Sequence, residues 1–458
     1  MNPLEILGWA VMAAPYVVAV LLGVAVPLLV LMAWRSAGAG LALIGLAWAA
    51  ELATMSQPVL HVGVFLHVAD VLLVLVAAAA ALRWLLPSGV PSRHPAWIVT
   101  VLLLVVGIAW GLAVHGRAAG VQSRPDFYAV AAASCAMSFH PQAQPLRLLV
   151  RLLLVLAVYT LLLTAWRWTV TLVPLHDLLP PGGTYNLDGP LRVVPSNAAL
   201  LLAQLLVLAL FFGGGGLTLA RWLSPLLLAA VLVLQHRSVW LAAIVGVLVG
   251  AMAARSRRVP HWQQALLALA VVAVTALALG TSDQLTDQLR TSAQRALAGR
   301  DTVADRFQNW RATLRQWVND GPVAIAVGRI RGADARRGVE DESGRERIIE
   351  YQAHNHYVNT LAGSGVIGLA AYAWWMAWIV GGLMRALRTD DADDRRVAAA
   401  LLVLLAMQLT YYIAYGVEFV QYALAGLAMA WVAAWRQRQR VAAAVPAPPT
   451  WRSVVAWR

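Results

Sequence analysis

Lysine is missing altogether: all 35 basic positions in this 458-residue chain are arginine. Codon usage in a GC-rich genome produces such a skew. The formal net charge of +13 is accordingly read from where the arginines fall, in short loops between apolar runs, and not as a nucleic-acid-binding surface. Cysteine is nearly missing, and the single Cys135 lies in an apolar stretch, which excludes an intrachain disulfide. Charge of either sign is scarce, at 12% of residues against 60% hydrophobic. With so little polar surface and a mean hydropathy of +0.69, the chain cannot enclose its apolar residues in one soluble core. It reads as an all-α polytopic membrane protein.

What is present is a series of apolar runs, most of them long enough to cross a hydrocarbon core as helices that satisfy their own backbone hydrogen bonds. They lie near 10–34, 38–55, 61–86, 97–114, 127–139, 147–166, 197–212, 217–234, 239–254, 265–280, 356–384, 397–415 and 417–435. The 127–139 run is short for a full crossing, so about twelve spans are expected, with the orientation of the N-terminus left open. No cleavable signal peptide is evident.

Orientation of the C-terminal half follows from clustered arginines: Arg255, Arg257 and Arg258; Arg385, Arg388, Arg395 and Arg396; Arg436, Arg438 and Arg440. These loops are expected on the cytoplasmic side. The opposite side then receives the turn 235–238, the long polar segment 281–353 and the turn around Glu418. The expected organisation is an N-terminal helix bundle over 1–280, a large outer loop over 281–355, C-terminal spans over 356–436, and a disordered cytoplasmic tail over 437–458. The sequence "DDADD" at 390–394 has the Asp-x-Asp spacing of metal-dependent glycosyltransferases. It falls on the cytoplasmic side and is read as a solvated loop.

Within the outer loop, "SDQLTDQLRTSAQRALAG" reads as a helix capped by Ser282 and ended at Gly299. The next stretch, "DTVADRFQNWRATLRQWVNDGP", sets Val303, Phe307, Trp310, Leu314 and Trp317 on one stripe, with Arg306 and Arg311 on its flanks. Such a helix suits the membrane interface, tryptophans down and arginines at headgroup level.

The most unusual stretch is "YQAHNHYVNTLAGSGVIGLAAY", from Tyr351 to Tyr372. Projected on a continuous helix, Gly365 and Gly368 fall about 20° and about 40° from His354. His354 would then stand over a groove of small residues suited to a neighbouring helix or a lipid chain. His356 would point elsewhere, so a shared metal requires an extended "HNH". No carboxylate or cysteine cluster at ligand spacing accompanies it, and no metal site is expected.

His354, Asn355, nine residues, Gly365, two residues and Gly368 reproduce the His-[Asn/Ser/Gln]-X9-Gly-X-X-Gly pattern of the bacterial O-antigen ligases, which the chain resembles over roughly 195–435. Arg237 in "LQHRSVWL" and Arg306 with Trp310 in "RFQNW" match the family's two arginine contexts, and "PSNAALL" from Pro195 resembles its Asn-containing helix start. One departure is "AVG" at 326–328, where the family usually has Gly-Val-Gly. The resemblance implies a GT-C-like glycosyltransferase of the inner membrane with its active site facing the periplasm. It would transfer O-antigen polysaccharide from undecaprenyl diphosphate to lipid A-core, using no cofactor.

In that reading Arg237 and Arg306 neutralise the departing pyrophosphate through planar donors that stay charged. His354 takes the acceptor proton as general base, at an ordinary pKa near 6.5, while Asn355, Trp310, Gly365 and Gly368 support it. A polysaccharide polymerase or a protein O-oligosaccharyltransferase would use the same lipid-linked donor. A transporter would instead predict internal repeats and mid-membrane charges, whereas here the informative residues gather at one face.

Overall fold

The computed structural model describes residues 24–54, 58, 60–62, 64–86, 94–139, 145–172, 192–212, 218–254, 302–333, 337–340, 346–349 and 353–444. Almost all of it is helix. In chain order the elements are α1 (Val24–Arg35), α2 (Ala37–Thr54), β1 (Leu60–Val62), β2 (Val64–Leu66), α3 (Val68–Leu85), α4 (Pro95–His115), α5 (Arg117–Met137), α6 (Pro145–Leu172), α7 (Ser196–Phe212), α8 (Thr218–Val233) and α9 (Arg237–Ala254). They continue with α10 (Thr302–Asn319), α11 (Pro322–Val327), β3 (Arg337–Glu340), β4 (Glu346–Ile349), α12 (His356–Ala386), α13 (Ala392–Tyr411) and α14 (Phe419–Ala444). Of these helices, α2, α3, α4, α6 and α12 are long and apolar enough to cross a membrane. The expected 265–280 span and the 282–299 helix lie outside the described residues.

Three boundaries differ from expectation. The run beginning at His61 is not helical from its start: β1 and β2 form an antiparallel hairpin first, pairing Leu60 with Leu66, and α3 follows. The short 127–139 run is the C-terminal part of α5, which begins at Arg117 and carries Pro125 inside it. Its first turns hold Gln122, Arg124 and Asp126, polar residues that a hydropathy reading assigns to a loop and that here reach protein partners. At the other end of the chain, the tail expected from 437 instead continues α14 to Ala444; residues beyond it lie outside the described set.

The core is a contact between α14 and α5, with α3 and α4 packed on α5, and α13 packed on α9 and α7. Small residues set the close approach: a methyl on Gly426 of α14 would come within 2.6 Å of the Ala133 carbonyl of α5. Buried amides add direction, since Gln204 of α7 and Gln421 of α14 donate to each other at 2.8 and 3.0 Å.

Two ends of the bundle have distinct chemistry. At one end Arg438 pairs with Asp394 at 2.7 Å, Arg436 lies 4.1 Å from the Trp378 ring centre, and Asp391 caps α13 by accepting from the amides of Asp393 and Asp394. Of the "DDADD" acids, Asp391 is thus a helix cap and Asp394 an ion-pair partner at the arginine end, while Asp390, Asp391 and Asp393 are exposed to solvent. The opposite end carries residues 302–333, the hairpin β3–β4, and the starts of α9, α12 and α14.

Candidate active site

The local fold around His354 begins with Asn355. Its backbone is extended (φ −162°, ψ 115°) and its side-chain oxygen accepts from the Val358 amide at 3.0 Å, satisfying one of the orphan donors of the first turn of α12. The helix starts at His356, so His354 lies before the cap and outside the helical repeat. Its ring is exposed on one side and packed on the other.

The continuous-helix projection that placed His354 over a glycine groove is therefore incorrect. A second break reinforces this, because Gly365 inside α12 has φ +65° and ψ −171°. That conformation is open to glycine and costly for other residues. The glycines serve backbone docking instead. A methyl on Gly365 would collide with the Ala326 carbonyl, and one on Gly328 (φ +91°) with the Gly363 carbonyl. Between them the Arg329 amide donates to the Ala362 oxygen at 2.9 Å. Gly368 leaves room for the Ser364 side chain, which the break pushes into the space its own Cβ would fill. Ala326 lies in α11, where an ordinary helical backbone is needed, so the first position of "AVG" has no requirement for glycine.

Docked this way, α10 lies over the start of α12 and brings Arg306 to His354. Their meeting point is Tyr415, in the connection between α13 and α14. The Arg306 guanidinium sits 5.0 Å from the Tyr415 ring centre. The His354 ring meets the same ring edge-on at 6.3 Å, and Tyr411 stacks on it at 4.6 Å. Burial pushes the Tyr415 hydroxyl up, but hydrogen bonds with Ser196, Ser238 and Arg306, together with the Arg306 charge, bring it below the usual phenol range. Ser196 also bonds the Tyr411 hydroxyl at 2.7 Å.

Arg237 opens α9 immediately before Ser238 and is exposed. The turn leading to it is fixed by His236, whose Nε2 is 3.0 Å from the Val194 oxygen, and by Arg192, which donates to the Gln235 carbonyl at 3.1 Å. Gln235 there has φ +54°. The sequence-predicted His354, Arg306 and Arg237 thus share one end of the bundle, the first two on one tyrosine and the third beside a serine bonded to it.

Electrostatics suit proton abstraction. Burial on the packed side, and then the Arg306 charge, hold the His354 imidazole below the ordinary histidine range. Nearby, Asn197 donates to Glu418 at 2.7 Å, and burial pushes that carboxyl up to about 7. Trp310 packs edge-to-face on Phe307 at 4.9 Å, and Trp317 donates to the Ala324 oxygen at 2.8 Å, closing α10 onto α11. The expected apolar stripe is only partly turned inward, since Phe307 is 51% exposed while Asn309 and Thr313 are buried.

His356 does a different job. It is 3% exposed, its Nε2 lies 3.0 Å from the Tyr422 hydroxyl, and its amide donates to the Tyr412 oxygen at 2.9 Å. Four tyrosine rings surround it, the nearest at 4.5 Å. Among the described residues no three His, Cys, Asp or Glu side chains are grouped to hold a metal ion.

No motif in the sequence marks Tyr415, Ser196 or Ser238 as site residues. The one available signal was the run of tyrosines in "YYIAY" at a helix end, which composition alone does not connect to His354 across 60 residues. A comparison with curated proteins returns no match. Residues 222–373 match the family model described as O-antigen ligase, a span that includes Arg237, Arg306, Trp310, His354, Asn355, Gly365 and Gly368 but stops short of Tyr415. Over residues 222–373, which are less than half of the chain, the sequence is similar to the O-antigen ligase family.

Proposed function

We propose that this protein transfers O-antigen polysaccharide from undecaprenyl diphosphate to the sugar core of lipid A, at the periplasmic face of the inner membrane. The observation that carries the reading is the placement of His354 and Arg306 on one ring, Tyr415, with the imidazole held below its ordinary pKa. A base and a fixed cation at one spot are what a glycosyl diphosphate donor requires.

In a single displacement, neutral His354 accepts the proton of the acceptor hydroxyl as that oxygen bonds to the anomeric carbon. The bond from that carbon to the diphosphate oxygen breaks, and its electron pair leaves with undecaprenyl diphosphate. Arg306 and Arg237 take up the charge that develops on the leaving group through the N–H donors of their planar guanidinium forks. The configuration at carbon inverts. Tyr415 is a positioning residue: its ring presents one face to the cation and an edge to the imidazole. No cofactor is invoked.

The test is a one-pot reaction of the purified protein with undecaprenyl diphosphate glycan, lipid A-core, a second lipid-linked glycan and a serine-containing protein. Glycan on lipid A-core with release of undecaprenyl diphosphate is expected. Growth of the lipid-linked chain alone would make the protein a polymerase, and glycan on the serine protein would make it an oligosaccharyltransferase.

A further inference from the structure

A second polar site lies on the other side of the start of α12. Here α4, α5, α12, α14 and the 329–333 strand of chain enclose a partly open cavity of ≈ 120 Å³. His354, Arg306 and Arg237 are not on its wall. Its polar lining includes Gln122, Asp126, Arg329, Arg331, His356 and Tyr372, with Thr360 and Ser364 beside them, and its apolar side includes Leu103 and Leu104.

The cavity is built around Arg331, which is 8% exposed. Three glycines give it space: the guanidinium lies 3.6 Å from where a methyl on Gly363 would stand and 3.9 Å from one on Gly107, and a methyl on Gly111 would come within 2.6 Å of the Arg331 carbonyl. One nitrogen pairs with Asp126, and the Gly332 amide donates to the Gln122 side chain. Two polar atoms on the wall nevertheless have no hydrogen-bond partner among the described residues, Arg331 Nε and the Tyr372 hydroxyl, although Tyr372 is 3% exposed. An unsatisfied buried donor costs about 1–3 kcal/mol, so a pair of them around one cavity points to something that enters it.

The charge of the site limits what that can be. Arg331 is neutralised by Asp126, and the neighbouring Arg329 by Asp320. A phosphate would find no uncompensated cation, and an acyl chain would strand the polar wall. A group that both donates and accepts, with an apolar C–H face to set against Leu103 and Leu104, satisfies the lining. We infer that this cavity is a saccharide subsite, taking one neutral pyranose ring of the glycan that the proposed reaction handles. The inference rests on that reaction for the source of the ring, which is either the donor polysaccharide or the acceptor core.

Tyr372→Phe and Ser364→Ala test it with little structural risk, because the Tyr372 hydroxyl bonds nothing among the described residues and alanine keeps the Ser364 Cβ. In nanodiscs, saturation-transfer difference NMR is run with two probes, delipidated lipid A-core oligosaccharide and an O-antigen repeat-unit oligosaccharide. The wild type should bind one of them, and each variant should bind it about tenfold more weakly with an unlowered Tm. The affected probe names the source, and KM for the matching substrate should rise with kcat little changed. His354→Ala should bind the sugar as the wild type does. Binding of neither probe by folded wild type, or unchanged affinity and KM in both variants, would overturn the subsite. Wild-type binding that depends on Tyr372, with no transfer to lipid A-core from any lipid-linked donor, would sink the proposed function and leave the subsite standing.

Discussion

Two histidines stand two residues apart at the start of α12, and they have opposite fates. His354 precedes the cap, shows one side to solvent and shares Tyr415 with a cation. His356 follows the cap, is enclosed by tyrosines and ties α12 to α14 through the Tyr422 hydroxyl. The arginines divide in the same way: Arg306 rests on an aromatic ring with no carboxylate partner among the described residues, whereas Arg331 and Arg329 are paired with Asp126 and Asp320. The difference teaches that residue type does not decide function here. The side of one helix start on which a group falls decides whether its charge or proton is left open or is tied up by the fold.

The sharpest break of that comparison is substitution of each histidine. His354→Ala should lower transfer by about 10²–10⁴-fold, the range of a general base, with unchanged Tm and abundance. His356→Ala should instead cost on the order of 2–4 kcal/mol of stability, as other buried large-to-small changes do, while the folded fraction keeps most of its turnover. Thermal unfolding beside single-turnover rates separates the two. Equal catalytic loss in both variants, at equal Tm, would erase the distinction.

Next in size is Arg306→Lys, which keeps the charge and loses the planar fork. The loss of one charge-assisted hydrogen bond, about 1.5–3 kcal/mol, corresponds to a fall of about 10- to 150-fold in kcat/KM, and Arg237→Lys should be similarly impaired. The pH profile adds a sign. The His354 pKa is lowered, so the wild-type rate should persist on acidification until below the ordinary pKa near 6.5. Arg306→Gln removes the second cause of that lowering and should move the acid limb toward higher pH; a limb that stays put would separate Arg306 from the base.

Gly365→Ala should be smaller in chemistry but visible in stability, since the positive φ alone is worth about 1–3 kcal/mol and a methyl must also displace the Ala326 carbonyl. Loosening of residues 322–333, read by hydrogen exchange, is the expected signature, and unchanged exchange there would refute the docking role. The smallest expected effect is that of a chelator: EDTA should leave the rate unchanged if arginines alone neutralise the pyrophosphate, and restoration of a lost rate by a divalent ion would end that account.

Helices were legible because apolar runs have few other ways to satisfy their backbone in a membrane, and the placement of Arg237, Arg306 and His354 followed from motif spacing. What stayed hidden has specific causes. The first turns of α5 carry Gln122, Arg124 and Asp126, whose partners Gly332, Asp70 and Arg331 are remote in sequence, so they read as loop. The hairpin at 60–66 is too short for any periodicity to show. Gly365 reads in the sequence as a small residue on a helix face, because nothing local announces a break in the middle of an apolar run, where the docking of another backbone selects it.

That docking joins main chain to main chain: the Ala326 carbonyl against Gly365, Gly328 against the Gly363 carbonyl, and the Arg329 amide on the Ala362 oxygen. A joint of this kind constrains very few side chains. The exposed positions of α10, Phe307, Arg311 and Arg315 among them, can be rewritten without shifting the clamp that sets Arg306 over Tyr415. The spacing of Arg306 from Tyr415 and the outer surface of α10 are thus separable parts. Substitutions on that exterior should leave the joint as it is, and Arg311→Ala with Arg315→Ala should leave hydrogen exchange of residues 322–333 unchanged.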